Sequence, residues 1–71
     1  MQGNPANVSR GLRYLVGFKL RERGLKGRLE FYEDQGALYA ERGGIQQRVA
    51  LICRVVRQDD GKWRRVPCRS C

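Results

Sequence analysis

Alternation of apolar and polar residues along residues 12–20 is the feature that most constrains how this chain can fold. Arg13 and Lys19, followed by Arg21, fall on the polar parity. A period of two is typical of a strand with one buried face. The sequence therefore predicts a first strand with an apolar face for the core and a basic face for solvent or a partner. The apolar parity carries Leu12, Tyr14, Val16, Phe18 and Leu20.

Further short strands follow, separated by turn signals. Residues 21–27 contain two glycines and are predicted to form a loop. A second strand is predicted near residues 28–33 and a third over residues 37–41. The tripeptide Asp34-Gln35-Gly36 between them is typical of a hairpin turn, because glycine readily adopts a positive φ.

The segment 45–58 fits two secondary structures. As a helix it would align Ile45, Val49 and Ile52 in one stripe. Its β-branched residues favour a strand, and the Asp60-Gly61 turn before residues 62–66 favours a hairpin. The expected fold is mainly β, a small five-stranded antiparallel meander or open barrel. The alternative is an α+β fold, with a three-stranded sheet and a helix at about 45–57.

The 71 residues suffice for one domain. We expect a flexible N-terminal lead-in at 1–10, a single small β domain at 11–67 and a tail at 68–71. A chain this short buries only about 60% of its unfolded surface, so its core is small. Domains of this size often gain stability from a second copy, and we therefore expect a homodimer.

Positive charge dominates the chain and is unevenly placed. Fifteen Lys and Arg residues oppose seven Asp and Glu residues, for a formal net charge of +8. The segment 29–41 holds four acidic residues and no basic ones, between two basic arms. Such a balance favours attraction to polyanions, and Arg, which outnumbers Lys twelve to three, suits bidentate contact with phosphate.

The basic arms are the predicted binding surface. Tyr39 and Trp63 are candidate platforms on which unpaired bases could stack, although Trp63 also suits the core of so small a domain. Binding that neutralises phosphates would weaken as salt rises. The basic side chains of the predicted surface are Arg13, Lys19, Arg21, Arg23, Lys26 and Arg28 in the first arm, and Arg48, Arg54, Arg57, Lys62, Arg64 and Arg65 in the second.

These features predict a small basic protein that binds RNA or single-stranded DNA and acts as an accessory or regulatory factor. The alternative is an inhibitor or adaptor that recognises an acidic protein surface. We do not expect an enzyme, because the chain has no His and no Gly-x-Ser-x-Gly, Walker or dinucleotide-binding motif.

The cysteines do not predict a metal or a cofactor. Cys68 and Cys71 have zinc-like spacing, but a structural zinc site needs four ligands, which only two pooled chains would supply. A Cys68–Cys71 disulfide is the alternative for an oxidising setting. Cys53, within an apolar run, is expected to be an inert core thiol. With no apolar run long enough for a membrane span and no signal-peptide pattern, we expect a cytoplasmic protein that does not contact membranes.

Overall fold

Residues 12–20 lie in a helix in the computed structural model, which describes residues 3–66. Helix α1 spans Arg10–Glu22. Ser9 caps its N-terminus, because the Ser9 hydroxyl accepts a hydrogen bond from the backbone N–H of Leu12 at 3.2 Å. Such a cap satisfies one of the amides that the first turn leaves without a partner.

The C-terminus of α1 is closed by a glycine. Gly24 has a φ of 85°, a conformation that side chains disfavour. Its N–H donates to the carbonyl of Arg21 at 2.9 Å, and the N–H of Leu25 donates to the carbonyl of Leu20 at 3.1 Å. These two bonds define a Schellman motif, and Leu25 packs against the core just beyond it.

The predicted first strand is wrong. The reason is that the three buried residues of this segment are four positions apart. Leu12, Val16 and Leu20 are fully buried. Residues four apart share a strand face and also share a helix face, so this spacing satisfies both periods. The remaining apolar residues of the alternation decide between them, because Tyr14 is 74% exposed and Phe18 is 51% exposed. The expectation that Tyr14 belongs to the core is therefore wrong as well.

A four-stranded antiparallel sheet lies against the helix, in the order β1-β2-β3-β4. The predicted turn between the second and third strands is confirmed, with positive φ at Gln35 and Gly36. Gly43 and Gly44, with φ of 62° and 80°, make a second two-residue turn of the kind that suits strand twist. The strands are β1 Asn4–Pro5, β2 Glu30–Asp34, β3 Ala37–Arg42 and β4 Ile45–Arg48.

The segment 45–58 is neither one strand nor a helix. After β4 the chain bends through a 3₁₀ turn at Val49–Leu51 and resumes as β5, Val55–Arg57. The bend carries the Val49 side chain into the core, where it is fully buried. Strand β5 then pairs with β6, Trp63–Arg65, so the predicted hairpin around Asp60-Gly61 is confirmed.

The architecture is therefore mixed α+β. The predicted five-stranded meander or barrel is wrong, since residues 3–66 form one helix, a four-stranded sheet and a two-stranded sheet that do not close into a barrel. The α+β class of the alternative is correct. Its helix, however, lies at Arg10–Glu22 and not at 45–57.

Residues 4–9, within the predicted lead-in, make defined contacts. Pro5 pairs with Tyr32 across β1 and β2, and the N–H of Ser9 donates to the carbonyl of Trp63 at 2.8 Å. The predictions for Cys68, Cys71 and the tail at 68–71 concern residues outside the described part of the chain. Within residues 3–66, no helix has the length and apolar content to cross a membrane.

The core lies between α1, the inner face of the sheet and the β5–β6 hairpin. Trp63 is only 8% exposed, which confirms its interpretation as a core residue. The inner face of β3 contributes Leu38 and Ala40, both nearly inaccessible. The core cluster consists of Leu12, Val16, Leu20, Phe31, Leu38, Ala40, Val49 and Trp63.

Substitutions at Leu20 and Phe18 distinguish a helix from a strand. A strand would bury both residues, because they share the alternating parity, whereas the helix buries only Leu20 fully. Leu20→Ala should lower the free energy of unfolding by about 2–5 kcal/mol, since it leaves a cavity in the core. Phe18→Ala should cost less than about 1 kcal/mol, because the ring is half exposed. Urea denaturation followed by circular dichroism measures both. Equal losses from the two variants would contradict the helical assignment.

Candidate nucleic-acid interface

The outward side of α1 carries two neighbouring aromatic rings. Because Leu12, Val16 and Leu20 point into the core, helical geometry places Tyr14, Phe18 and Arg21 on the opposite side. All three are exposed. We call the surface formed by Tyr14, Phe18 and Arg21, with Arg13 and Arg42 at its border, the aromatic–arginine face.

A shallow groove of about 200 Å³ runs along this face. None of the described residues that line it is acidic. Gly17 leaves room within it, because a Cβ at that position would lie 3.2 Å from Cδ2 of Leu29 and 3.5 Å from Nη1 of Arg42. The groove therefore offers flat apolar rings and guanidinium groups within one small concave surface.

Arg42 connects the elements that form the groove. Its Nη1 donates to the carbonyl of Gly17 at 2.8 Å, and its Nε donates to the carbonyl of Gly27 at 2.9 Å. One half-buried guanidinium thus joins β3 to the middle of α1 and to the loop that follows the helix. Hydrogen bonds from a charged donor are about twice as strong as neutral ones, so Arg42 fixes the position of the helix over the sheet.

Arg13 borders the groove on the side of the sheet. Its guanidinium lies 5.2 Å from the centroid of the Phe31 ring, within the range of a cation–π contact. Its Nη1 also donates to the carbonyl of Leu29 at 3.4 Å. These contacts orient Arg13 and leave most of its five donors free for a ligand.

The twelve basic residues predicted to bind are all exposed, but they do not form one surface. Only Arg13 and Arg21 line the groove. Arg23 donates to Oε1 of Gln47 at 2.7 Å, beyond the end of the helix. Lys19 lies on α1 outside the groove, and the others are spread over the loop after α1, the end of β4 and the β5–β6 hairpin: Lys26, Arg28, Arg48, Arg54, Arg57, Lys62, Arg64 and Arg65.

Two of the predicted arginines face carboxylates. Arg28 lies 3.3 Å from Glu30, and Arg57 lies 3.9 Å from Glu33, measured between side-chain N and O atoms. Exposed ion pairs of this kind contribute little to stability. They do lower the local positive charge, which makes these two positions poorer sites for phosphate than the groove.

Tyr39 lies on the sheet face opposite the helix. Its ring stacks on that of Tyr32, with centroids 5.6 Å apart and planes at 13°. Burial raises the pKa of the Tyr32 phenol above its ordinary value, and Glu41, Tyr39 and Asp34 raise it further. Tyr39 stands opposite Arg48 in β4, but the fold separates it from the aromatic–arginine face.

Neither Trp63 nor Cys53 contributes a reactive or stacking group to the groove. The Trp63 ring is enclosed in the core. Cys53 is half-buried, and burial raises the pKa of its thiol despite the opposing effect of Arg65 and Lys19. In the described part of the chain, no three His, Cys, Asp or Glu side chains come together as a metal site would need.

Tyr14, Phe18 and Arg42 are absent from the binding residues predicted from the sequence. The strand interpretation placed both rings in the core. A signal for Arg42 was present, because it follows Leu38 and Ala40 on the buried parity of β3. A guanidinium at the end of a buried face needs polar partners nearby.

The chain matches no protein-family model, no curated protein and no solved structure. The groove presents two kinds of side-chain chemistry, aromatic rings and guanidinium groups. Rings that stack on planar groups, beside guanidinium groups that pair with anions, suit a ligand with both flat apolar and anionic parts.

Replacement of Arg42 tests its role in holding the helix to the sheet. Arg42→Ala should lower the free energy of unfolding by about 1–3 kcal/mol, because two backbone carbonyls lose a charged donor. Arg54→Ala, at an exposed position, is the matched control and should change it by less than about 0.5 kcal/mol. Thermal or urea denaturation provides the comparison. Equal stabilities for the two variants would show that the Arg42 contacts do not support the fold.

Proposed function

We propose that this protein binds single-stranded nucleic acid, RNA or single-stranded DNA, through the aromatic–arginine face. In this proposal it acts as an accessory or regulatory factor in the cytoplasm. The observation that carries the proposal is the exposure of Tyr14 and Phe18 side by side, in a groove whose described lining residues include three arginines and no carboxylate.

Exposed aromatic rings support a stacking role. The chain has six aromatic residues for a small core, and two of them lie outside that core on one helix face. Full burial of a large apolar side chain contributes about 1.5–3 kcal/mol to stability, and this chain forgoes most of that at Tyr14 and part of it at Phe18. Stacking of an unpaired base on such a ring contributes about 1–3 kcal/mol to binding.

The arginines of the groove can form ion pairs and hydrogen bonds with the phosphates of a single strand. Arg21 is exposed on the same side of α1 as the rings, and Arg13 and Arg42 keep free donors after their internal contacts. The net charge of +8 adds a long-range attraction that speeds association with a polyanion.

Single strands suit the groove better than duplexes. In a duplex the base faces are covered by neighbouring bases, and separating them costs a few kcal/mol. A single strand presents its bases to Tyr14 and Phe18 without that cost. The groove has no His, Cys or carboxylate among its described lining residues, so we propose a binding function and not a catalytic one.

The second candidate function is recognition of an acidic protein segment by the same face. Tyr and Arg side chains are common at the energetic centres of protein interfaces, which is the observation that favours it. Electrostatic guidance would operate for such a partner too. The two candidates differ in whether a free oligonucleotide binds at low salt.

Removal of both rings tests the stacking contribution. The Tyr14→Ala/Phe18→Ala double variant should bind a short labelled single strand at least about tenfold more weakly. Its salt dependence should stay unchanged, because no cation is lost. Val56→Ala, which truncates a half-exposed apolar residue on β5, should bind like the natural chain. Fluorescence anisotropy measures these affinities, and natural affinity in the double variant would refute stacking.

Loss of a single cation tests phosphate contact. Arg21→Gln should reduce the slope of log affinity against log salt by about 0.7, the value for one phosphate on a single strand. Arg54→Gln, away from the groove, should leave the slope unchanged. Identical slopes for both variants would place the contacts elsewhere, and no detectable oligonucleotide binding at low salt would favour the protein-binding candidate.

A further inference from the structure

Strand β4 forms an edge of the four-stranded sheet. Its neighbour is β3, and no other strand among residues 3–66 pairs with it. The two-residue turn at Gly43-Gly44 makes Arg42 and Ile45 the first and last residues of a β-turn, so their backbone groups face each other. Hydrogen-bonding direction alternates along a strand, and the backbone amides of Gln46 and Arg48 therefore point away from β3.

This edge contains no proline and no glycine that would interrupt pairing with another strand. Its first residue, Ile45, is 49% exposed. Exposed edges of this kind are templates for pairing with another chain. The short length of β4 limits the contact to a few hydrogen bonds, so side-chain contacts must determine the partner.

Two unpaired opposite charges lie beside the edge on the outer sheet face. Arg48 stands opposite Tyr39 in the register, and Glu41 stands opposite Gln46, so the parity of these residues places both charges on that face. Neither charge forms an ion pair with another described residue. This side of the sheet thus carries one negative charge, at Glu41, and one positive charge, at Arg48, at two separate positions.

We propose that β4 pairs antiparallel with β4 of a second copy, with Gln46 opposite Arg48 of that copy. A two-fold axis at Gln47 makes the pattern of donors and acceptors self-complementary. In this register both outward-facing residues of each strand, Gln46 and Arg48, form backbone hydrogen bonds with the other copy. A register centred on Gln46 would pair only Gln46. This inference goes beyond the proposed function and does not depend on it.

The register also brings the unpaired charges together. Arg48 of one copy lies next to Gln46 of the other, whose neighbour in β3 is Glu41. Two strand spacings separate the two backbones, about 9.5 Å, which the long side chains of Arg and Glu can bridge. Each dimer contains this pair twice. The continuous sheet would carry both α1 helices, and both aromatic–arginine faces, on the same side.

Proline at position 46 tests the edge directly. Because the Gln46 N–H points outward, Gln46→Pro removes a donor of the edge and leaves the β3–β4 ladder intact. Gln46→Ala keeps the N–H and is the matched control. Sedimentation equilibrium of the full chain, free of nucleic acid and at high salt, should show dimers for the natural chain and Gln46→Ala. Gln46→Pro should raise the dimer dissociation constant at least about tenfold.

A monomeric natural chain throughout the concentration series would overturn the proposal, as would a folded Gln46→Pro variant that dimerises like Gln46→Ala. A charge exchange tests the partner and register without a proline. At moderate salt, Glu41→Arg and Arg48→Glu should each weaken the dimer, and the combined variant should restore it. A combined variant weaker than both single variants would show that these residues do not meet across the interface.

Discussion

Burial of one stripe of α1 against the sheet is the interaction on which the rest of this structure depends. Leu12, Val16 and Leu20 lose all contact with solvent, and each burial contributes about 1.5–3 kcal/mol. An isolated helix of 13 residues is marginal in water, so the helix exists because its stripe packs. The same packing fixes which side chains of α1 remain outside, and these include Tyr14, Phe18 and Arg21.

The aromatic–arginine face is thus a consequence of the fold and not a separate addition to it. Arg42 connects the two, since its guanidinium binds carbonyls of Gly17 and Gly27 while lining the groove. Gly17, which has no side chain, leaves room for the Leu29 side chain that packs beside it. The described residues that line the groove include three arginines and no acidic residue, whereas the outer sheet face carries Asp34 and Glu41 together with Arg48.

Local signals predicted the turns well and the helix badly. Gly36 and Gly61 mark hairpins whose geometry depends on a few adjacent residues, and both hairpins were correctly placed. The helix was missed because buried residues spaced by four satisfy two periods at once. Ser9 and Gly24, which cap it, carried the distinguishing information. The break at Val49 depends on the core that receives its side chain, which no local pattern specifies.

The same error hid the best part of the candidate site. A strand would have buried Tyr14 and Phe18, so their role as exposed rings could be recognised only once the helix was known. The arginines were visible from composition, yet composition does not show which of them share a surface. Arg13 and Arg21 do, whereas Arg28 and Arg57 face carboxylates.

A nuclear magnetic resonance titration of the labelled protein with a short single-stranded oligonucleotide would show whether the aromatic–arginine face binds a single strand. The largest amide shifts should fall within residues 13–21 and at Arg42, together with shifts of the Tyr14 and Phe18 ring protons. Shifts confined to the β5–β6 hairpin or to the outer sheet face around Tyr39, with α1 unaffected, would contradict binding at this face.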